Sequence, residues 1–166
     1  RLKRVLPLVE RLHGAVDTLA APIEAAHAGV LRCGRGCAGC CLDGLTVFAI
    51  EAARIEANYS ELLQDGVPGP EGGCAFLDGE GACRIYDVRP YVCRTQGLPL
   101  RWLEDDPEGI VEVRDICPEN AELPLEELPA EACFLLGPVE EKLRAIAALA
   151  PEGDVRVPLR SLFVAR

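Results

Sequence analysis

The fold of this chain is expected to depend on two cysteine-rich stretches, CGRGCAGCC at residues 33–41 and CAFLDGEGACRIYDVRPYVCR at residues 74–94. Together they carry seven of the nine cysteines, and Cys117 and Cys133 follow downstream. Nine cysteines in 166 residues is an unusually high count for an ordinary globular chain. The role of these thiols is therefore the first question that the sequence poses.

Three explanations compete for the cysteines: a disulfide framework, a metal site, and buried thiols that act as small hydrophobic residues. An odd count leaves one thiol outside a pure disulfide framework, and the chain is longer than the small secreted domains that need such bridges. Residues 1–19 are charged throughout and lack the uninterrupted apolar run of a secretory signal, so we expect a cytoplasmic protein. A metal site is the favoured explanation.

The composition excludes several functional classes. An apolar fraction of 49% with 27% charged residues indicates a globular rather than a disordered chain. No stretch approaches the roughly 20 apolar residues of a membrane span. The net charge of −10 argues against a nucleic-acid partner and against an anionic membrane surface. The acidic excess lies downstream, because residues 1–54 carry seven basic and five acidic side chains.

Hydrophobic periodicity predicts an α+β fold that is mostly helical, with a few short strands or a small hairpin. The predicted helices cover most of residues 1–30, with a kink or break at Pro22, and residues 50–64 and 138–150. Short strands are expected at residues 45–48, within 98–116 and in the C-terminal tail, and the turn DGEG predicts a hairpin over residues 74–86. We expect one domain in three parts: an N-terminal helical segment (1–30), a cysteine-cluster metal-binding core (31–120), and a C-terminal helix and tail (121–166).

The spacing of the cysteines brings some of them together locally. The two-residue gap between Cys37 and Cys40 lets two sulfurs converge on one centre from a tight turn. The predicted hairpin places Cys74 and Cys83 near each other at its open end. In an extended backbone the adjacent Cys40 and Cys41 point to opposite sides, so they would serve two centres, or one would act from outside the ligand set. A turn could instead aim both at one cluster.

Charged and imidazole side chains accompany the thiols unevenly. Five arginines lie beside the cysteines in sequence: Arg32, Arg35, Arg84, Arg89 and Arg94. Nearby guanidinium groups lower the pKa of a thiol. The simpler alternative is that these arginines form salt bridges with Asp43, Asp78 and Asp87. His13 and His27 lie about 21 Å apart along the predicted helix at 1.5 Å per residue, so they cannot share a metal ion. We expect both histidines to be exposed or to cap the helix.

The two stretches resemble the YkgJ-like cysteine-cluster family, a zinc- or iron-chelating family whose pattern joins a CxxCxxCC cluster to a later C-x-I-Y-x-x-R-P-x-x-C-R motif. The resemblance covers about residues 30–120. It implies metal ligation by Cys33, Cys37, Cys40, Cys41, Cys74, Cys83, Cys93 and Cys117, with Arg89 and Arg94 beside the bound group. Cys33 departs from the pattern because three residues separate it from Cys37. Cys133 lies outside the motif and is expected to be a buried thiol.

The resemblance extends to the flagellin lysine N-methylases, and it implies an iron–sulfur centre. By that analogy alone, S-adenosylmethionine or a protein could be a partner. The irregular, long spacings between the cysteines also favour a 4Fe–4S cluster over zinc, since zinc ribbons usually present two CxxC knuckles and this chain has one. Eight cysteines could nevertheless hold two zinc ions.

Other catalytic assignments find less support. The spacing Cys33-x3-Cys37-x2-Cys40 is that of the radical S-adenosylmethionine motif, but the chain offers no series of strand–helix units for the barrel of those enzymes. No histidine lies near the cysteines in sequence, so a Cys–His nucleophile would depend on folding alone. We therefore predict a metal-binding protein with a redox or methyl-transfer role. The alternative is a zinc-stabilised interaction module without catalysis, and a cleft that reaches the metal beside Arg89 or Arg94 would distinguish an enzyme. The sequence leaves open whether the cysteines form one centre or two.

Overall fold

The long N-terminal helix organises the larger of two hydrophobic cores in this computed structural model, which describes residues 2–164. Helix α1 spans Leu2–Ala26 and buries an apolar stripe at three- and four-residue steps, including Val9, Val16 and Ile23. This stripe packs against the later helices Ala49–Asn58, Tyr91–Thr95 and Gly137–Ala147. The helix also continues through Pro22 to Ala26, so the predicted break there is absent. Burial of the stripe offsets the backbone hydrogen bond that the proline cannot donate.

Five α-helices and five short strands lie within the described range, which confirms the predicted α+β class. After α1 the chain forms β1 (Thr46–Phe48), α2 (Ala49–Asn58), α3 (Ser60–Asp65), α4 (Tyr91–Thr95), β2 (Leu100–Asp106), β3 (Gly109–Asp115), β4 (Phe134–Leu135), α5 (Gly137–Ala147) and β5 (Arg156–Pro158). Single 3₁₀ turns cover Tyr86–Val88, Pro118–Asn120, Leu125–Glu127, Ala130–Ala132 and Leu159–Leu162. None of the helices described between residues 2 and 164 combines the length and the apolarity that crossing a bilayer requires.

Two small sheets brace the helices. Strands β2 and β3 form an antiparallel hairpin, with Leu100 opposite Asp115 and Asp106 opposite Gly109, and the short β4 pairs with β2 in parallel. This hairpin agrees with the strands predicted around the acidic turn. Strand β5 pairs antiparallel with β1, with Val47 opposite Val157, so the predicted extended tail is confirmed at this point. The second sheet joins a late segment of the chain to the end of the first cysteine loop.

Two predicted elements differ in the structure. The helix predicted over residues 50–64 is divided at Tyr59, where the backbone leaves helical geometry, and the Asn58 side chain donates to the Arg54 carbonyl at 2.7 Å. Such a side-chain bond competes with the helical ladder. The hairpin predicted over residues 74–86 forms no strands. It is a turn with one isolated bridge between Leu77 and Cys83, and the Asp78 carboxylate accepts the Ala82 N–H at 2.8 Å.

A smaller second hydrophobic core lies against the segment that carries Cys74 and Cys83. Its buried members are Val47, Ala52, Ile55, Leu63, Ala75, Phe76, Ile85, Val88, Leu159 and Phe163. The half-buried Cys74 and Cys83 pack against this cluster. Helix α2 lies between the two cores, since Ile50 belongs to the first and Ile55 to the second. Cys74 and Cys83 are therefore held against a packed hydrophobic cluster and do not lie on a free loop.

A buried polar network links the cores, and it corrects one prediction. His13 is 1% exposed, not exposed or capping as expected. Its Nδ1 accepts from the Arg54 guanidinium at 2.8 Å, so Nε2 carries the proton and donates to the Glu51 carboxylate at 2.9 Å. Burial lowers the pKa of His13, although Glu51 opposes the shift. Glu51 also accepts the backbone N–H groups of Phe48 and Tyr91, and so joins α1 to the beginnings of α2 and α4.

Candidate metal centre

The first four candidate cysteines lie on two consecutive turns. Cys37 donates its N–H to the Gly34 carbonyl at 3.0 Å, and Cys41 donates to the Ala38 carbonyl at 2.9 Å. Gly36 has a φ of +87°, a left-handed conformation that favours glycine. These turns place Cys33, Cys37, Cys40 and Cys41 along one short loop. The loop is largely open to solvent around Cys33 and becomes half-buried at Cys40 and Cys41.

The thiols of Cys40 and Cys41 titrate as a pair. Their mutual interaction lowers the pKa of Cys40 and raises the pKa of Cys41, because the pair retains one proton when the first thiol ionises. The turn at residues 39–40 thus keeps the two sulfurs close together instead of on opposite sides of an extended strand. Cys41 is the member of this pair that connects the first loop to the second cysteine-rich stretch.

A backbone contact connects the first cysteine loop to the second stretch. Cys74 donates its N–H to the Cys41 carbonyl at 2.8 Å, and Leu42 pairs with Gly73 in an isolated bridge. The turn after Cys74 then returns the chain to Cys83, and the negative charge of an ionised Cys74 raises the pKa of Cys83, after the larger effect of burial. Cys41, Cys74 and Cys83 are therefore brought to one side of the molecule.

Helix α4 delivers Cys93 to the same region. Extended backbone at Arg89 and Pro90 precedes the helix, which begins at Tyr91. Burial, followed by the charges of Cys74 and Cys83, raises the pKa of Cys93 to about 12. A thiol in this environment stays protonated near neutral pH unless a cation replaces the proton.

Asn120 connects Cys117, the remaining candidate ligand, to Cys33 of the first loop. Its side chain is fully buried, and its Oδ1 accepts the Arg32 N–H at 2.8 Å. Its Nδ2 donates to the Gly97 carbonyl at 2.7 Å and to the Cys33 sulfur at 3.3 Å. Its backbone N–H donates to the Cys117 carbonyl at 2.8 Å. One side chain therefore fixes the 32–33 backbone against the turn that carries Cys117.

Gly97 makes room for this arrangement. It has a φ of +92°, and a β-carbon at this position would overlap the Cys33 sulfur. Sequence reasoning missed both Gly97 and Asn120. An uncharged asparagine within the acidic stretch after Cys117 is the only sequence signal that pointed to Asn120, and nothing in the sequence distinguishes Gly97 from the other fifteen glycines.

The five arginines near the cysteines divide between two roles. Arg32 and Arg35 pair with Glu122 and Glu80 at exposed positions. Arg94 is buried, and its guanidinium binds Asp17 of α1 at 2.6 Å and donates to the carbonyls of residues 87 and 89. These contacts are structural, and they involve acidic partners other than those predicted.

Arg84 and Arg89 are the two arginines of this set whose charges lower the pKa of a thiol. Both lower the pKa of Cys83, and Arg84 also lowers that of Cys74, although burial raises the pKa of each thiol by more. Arg89 lies 3.9 Å above the ring of Tyr86, and its buried Nε has no hydrogen-bond partner. An unpaired buried donor on an arginine whose charge lowers the pKa of Cys83 suits a site where negative charge accumulates.

Arg160 supports the second stretch from the C-terminal side, and sequence reasoning missed it. Its guanidinium donates to the Asp43 carboxylate at 2.8 Å and to the carbonyls of Gly69, Pro70 and Gly73 at 2.8–3.0 Å. The clamp therefore holds the connector before Cys74 against the loop after Cys41. It also lowers the pKa of Asp43 through the hydrogen bond and the charge.

The eight candidate cysteines gather in one region, but they do not stand at metal-ligating positions. Among residues 2–164, no three side chains of Cys, His, Asp or Glu are arranged so that they could hold a metal ion as placed. All nine cysteines are free thiols. Cys133 is 4% exposed and lies near Arg101 and Arg114, which confirms it as a buried thiol.

The two best-formed cavities of the described chain lie elsewhere. One, of about 130 Å³, is lined by residues of α2, α4 and α5 together with Phe48 and Arg156. The other, of about 340 Å³, lies between α1 and α2. Neither is lined by a cysteine, by Arg89 or by Arg94. The cleft that would indicate an enzyme is therefore absent from both.

Comparison with known families identifies the segment that carries the clustered cysteines. One family model matches residues 32–118, just over half of the chain, and its description is "CxxCxxCC: putative zinc- or iron-chelating domain". The chain belongs to the CxxCxxCC family. The match contains all eight clustered cysteines and excludes Cys133. No curated protein and no solved structure matches the chain. Membership supports metal chelation by this CxxCxxCC domain, with zinc or iron as the metal.

Proposed function

We propose that the protein holds an iron–sulfur cluster of the 4Fe–4S type through its clustered cysteines, with Cys33, Cys37, Cys40, Cys41, Cys74, Cys83, Cys93 and Cys117 as the candidate ligands. The observation that carries the proposal is the gathering of these eight free thiols from three separate segments of chain. Soft thiolates are the ligands that iron–sulfur clusters require, so the donor set fits the group. A bound cluster of this type supplies one-electron redox chemistry.

The preference for iron over zinc rests on how the thiols are supplied. Only Cys37 and Cys40 have the two-residue spacing of a zinc knuckle, whereas Cys74, Cys83 and Cys93 come from a turn, its return segment and a helix. The Asn120 amide donates to the Cys33 sulfur, and hydrogen bonds to sulfur are one of the ways in which a protein sets the potential of a cluster. Arg84 and Arg89 add positive charge beside Cys83.

The proposed metal-binding core is residues 31–120, between the helical segment 1–30 and the C-terminal segment 121–166 of one domain. Arg94 and Asp17 join the core to α1, and Arg160 joins it to the C-terminal segment. Nine free thiols suit a reducing compartment, so we propose a cytoplasmic location. Methyl transfer, with S-adenosylmethionine and a protein as partners, rests on the resemblance to flagellin lysine N-methylases alone.

The alternative is a zinc-stabilised interaction module without catalysis. The cavities favour it, because neither of the two best-formed ones is lined by a cysteine or by the two arginines. In such a module cysteine fills every coordination position, and metal binding contributes directly to folding.

Anaerobic purification followed by iron, zinc and acid-labile sulfide analysis tests the proposal. We expect iron with equimolar sulfide and a broad absorption band near about 400 nm from thiolate–iron charge transfer. Cys37→Ser should lower the iron content, and the matched control Cys133→Ser should leave it unchanged, because Cys133 is buried and lies outside the matched domain. A colourless protein with stoichiometric zinc after anaerobic handling would overturn the iron–sulfur assignment in favour of the module.

A further inference from the structure

Eight thiols exceed what one ordinary thiolate centre uses. A structural zinc ion takes four cysteines, and a 4Fe–4S cluster is also held by four. A single centre would therefore leave four half-buried thiols beside it without a role. The contacts among the eight thiols indicate whether they form one group or two, and which thiols belong to each group.

Cys33, Cys37, Cys40 and Cys117 form the first group of neighbours. The thiols that interact electrostatically with Cys33 are those of Cys37, Cys117 and Cys40. Two independent contacts support the grouping. Asn120 binds the Cys33 sulfur while its backbone N–H binds the Cys117 carbonyl. Gly39, next to Cys40, lies beside the Glu119 side chain, two residues after Cys117.

Cys41, Cys74, Cys83 and Cys93 form the second group. Cys41 interacts with Cys74 and Cys93, and Cys93 interacts in turn with Cys74 and Cys83. The backbone bond between Cys41 and Cys74 brings the first loop to this group. The bridge between Leu77 and Cys83 closes the turn that returns the chain to Cys74.

Cys40 is the one thiol near both groups, since it interacts with Cys33 of the first group and with Cys41 and Cys93 of the second. The second group already has four members without it, whereas the first has only three. Assigning Cys40 to the first group gives each centre four thiols. It also places the boundary between the centres at the Cys40–Cys41 peptide.

We infer that the protein binds two adjacent four-thiolate centres rather than one, an inference that rests on the proposed metal-binding function. The first is formed by Cys33, Cys37, Cys40 and Cys117, and the second by Cys41, Cys74, Cys83 and Cys93. The adjacent cysteines of the motif are then explained, because two neighbouring residues each supply a ligand to a different centre. The thiols move to ligating positions when metal binds.

The two centres differ in their access to solvent. Cys33 is exposed on a loop with glycines at positions 34, 36 and 39, whereas Cys74 and Cys83 pack on the second core and Cys93 lies on α4. Arg84, Arg89 and Arg160 place positive charge near Cys74 and Cys83 of the second group. The first centre should therefore lose metal to a chelator before the second.

Metal stoichiometry in two pairs of variants tests the inference. In protein purified anaerobically we expect about twice the metal of a single centre, which is two zinc ions or eight irons per chain. Cys37→Ser with Cys117→Ser should remove half of the metal, and Cys74→Ser with Cys83→Ser the other half. Cys133→Ser is the matched control and should retain all of it. A single centre predicts instead that at least one pair removes all of the metal and that neither pair removes half of it.

A measurement on the unaltered chain covers the case in which the paired variants fail to fold. Protein refolded anaerobically with ¹¹³Cd²⁺ should give two ¹¹³Cd resonances of equal intensity, each correlated with the β-protons of its own four cysteines. EDTA should remove the resonance of the Cys33 group first. One resonance, or correlations that mix the two groups, would overturn the division into two centres. The absence of any cadmium resonance correlated with cysteine would overturn metal binding itself. Iron and sulfide analysis of the purified protein decides the iron–sulfur assignment separately.

Discussion

Asn120→Ala is the substitution that most directly tests how the first cysteine loop is held. It removes the acceptor of the Arg32 N–H and the donor to both Gly97 and Cys33. The Gly97 carbonyl is then left buried without a partner, which costs about 2 kcal/mol. The two lost bonds to Arg32 and Cys33 are part-buried and add about 1 kcal/mol together.

The expected destabilisation is therefore about 3 kcal/mol. For a chain of this size it corresponds to a fall in Tm of roughly 6–12 °C. The assay is anaerobic thermal unfolding of the metal-loaded protein, followed by circular dichroism. The Arg32 amide, which loses its acceptor, should in addition exchange faster with deuterium.

Asn58→Ala serves as the control, because its amide donates to one carbonyl at an exposed position and its loss should cost less than about 1 kcal/mol. A Tm for Asn120→Ala equal to that of Asn58→Ala would refute the reasoning. So would unchanged exchange at Arg32, since the structure gives that amide no acceptor other than Asn120 Oδ1.

Three further predictions concern the framework around the site. Glu51→Gln should destabilise the protein by about 2–3 kcal/mol in thermal melts, because the new amide nitrogen would face N–H groups that now donate to the carboxylate. The control Glu56→Gln, at an exposed position, should cost less than about 0.5 kcal/mol. Because burial lowers the pKa of His13, the folded state binds its proton less readily than the unfolded state, so stability should fall as the pH drops below 6.5; His13→Gln should flatten that dependence in urea titrations, and an unchanged slope would contradict it. Arg160→Lys should cost about 1–3 kcal/mol and expose residues 67–73 to limited proteolysis, since an ammonium cannot reproduce the four contacts of the guanidinium; a digestion pattern identical to the wild type would count against the clamp.

Local patterns in the sequence predicted the regular elements well where one periodicity prevailed. The apolar stripe of α1, the strands on both sides of the acidic turn and helix α5 all followed from side-chain spacing. The continuity of α1 through Pro22 did not, because it depends on helices that are distant in sequence. Likewise, the break at Tyr59 follows from a side-chain bond of Asn58 that no periodicity encodes.

The site was predictable in its chemistry but not in its scaffolding. Cysteine spacing and the two motifs identified the thiols, and the family match covers the same segment. The roles of Asn120, Gly97 and Arg160 could not be predicted from the sequence, because each contacts residues that are distant in the chain. Asn120 and Cys33, for example, are 87 residues apart. His13 was misassigned for the same reason, since its partner Glu51 lies 38 residues away. A single sequence records residue types, while such contacts are specified only by the folded chain.

The clamp at Arg160 has a consequence for biosynthesis. Arg160 and its partner Asp43 are 117 residues apart, so at about 5–20 residues per second a ribosome needs roughly 6–23 s to add the later residue after the earlier one. During that interval the nascent chain displays its first four cysteines without the segment that anchors their neighbours. Metal that arrives before Arg160 has bound Asp43 would bind the cysteines already synthesised, in an incorrect combination. Correct metal loading is therefore expected to require either late delivery of the metal or a chaperone that shields residues 33–41 until residue 160 has been translated.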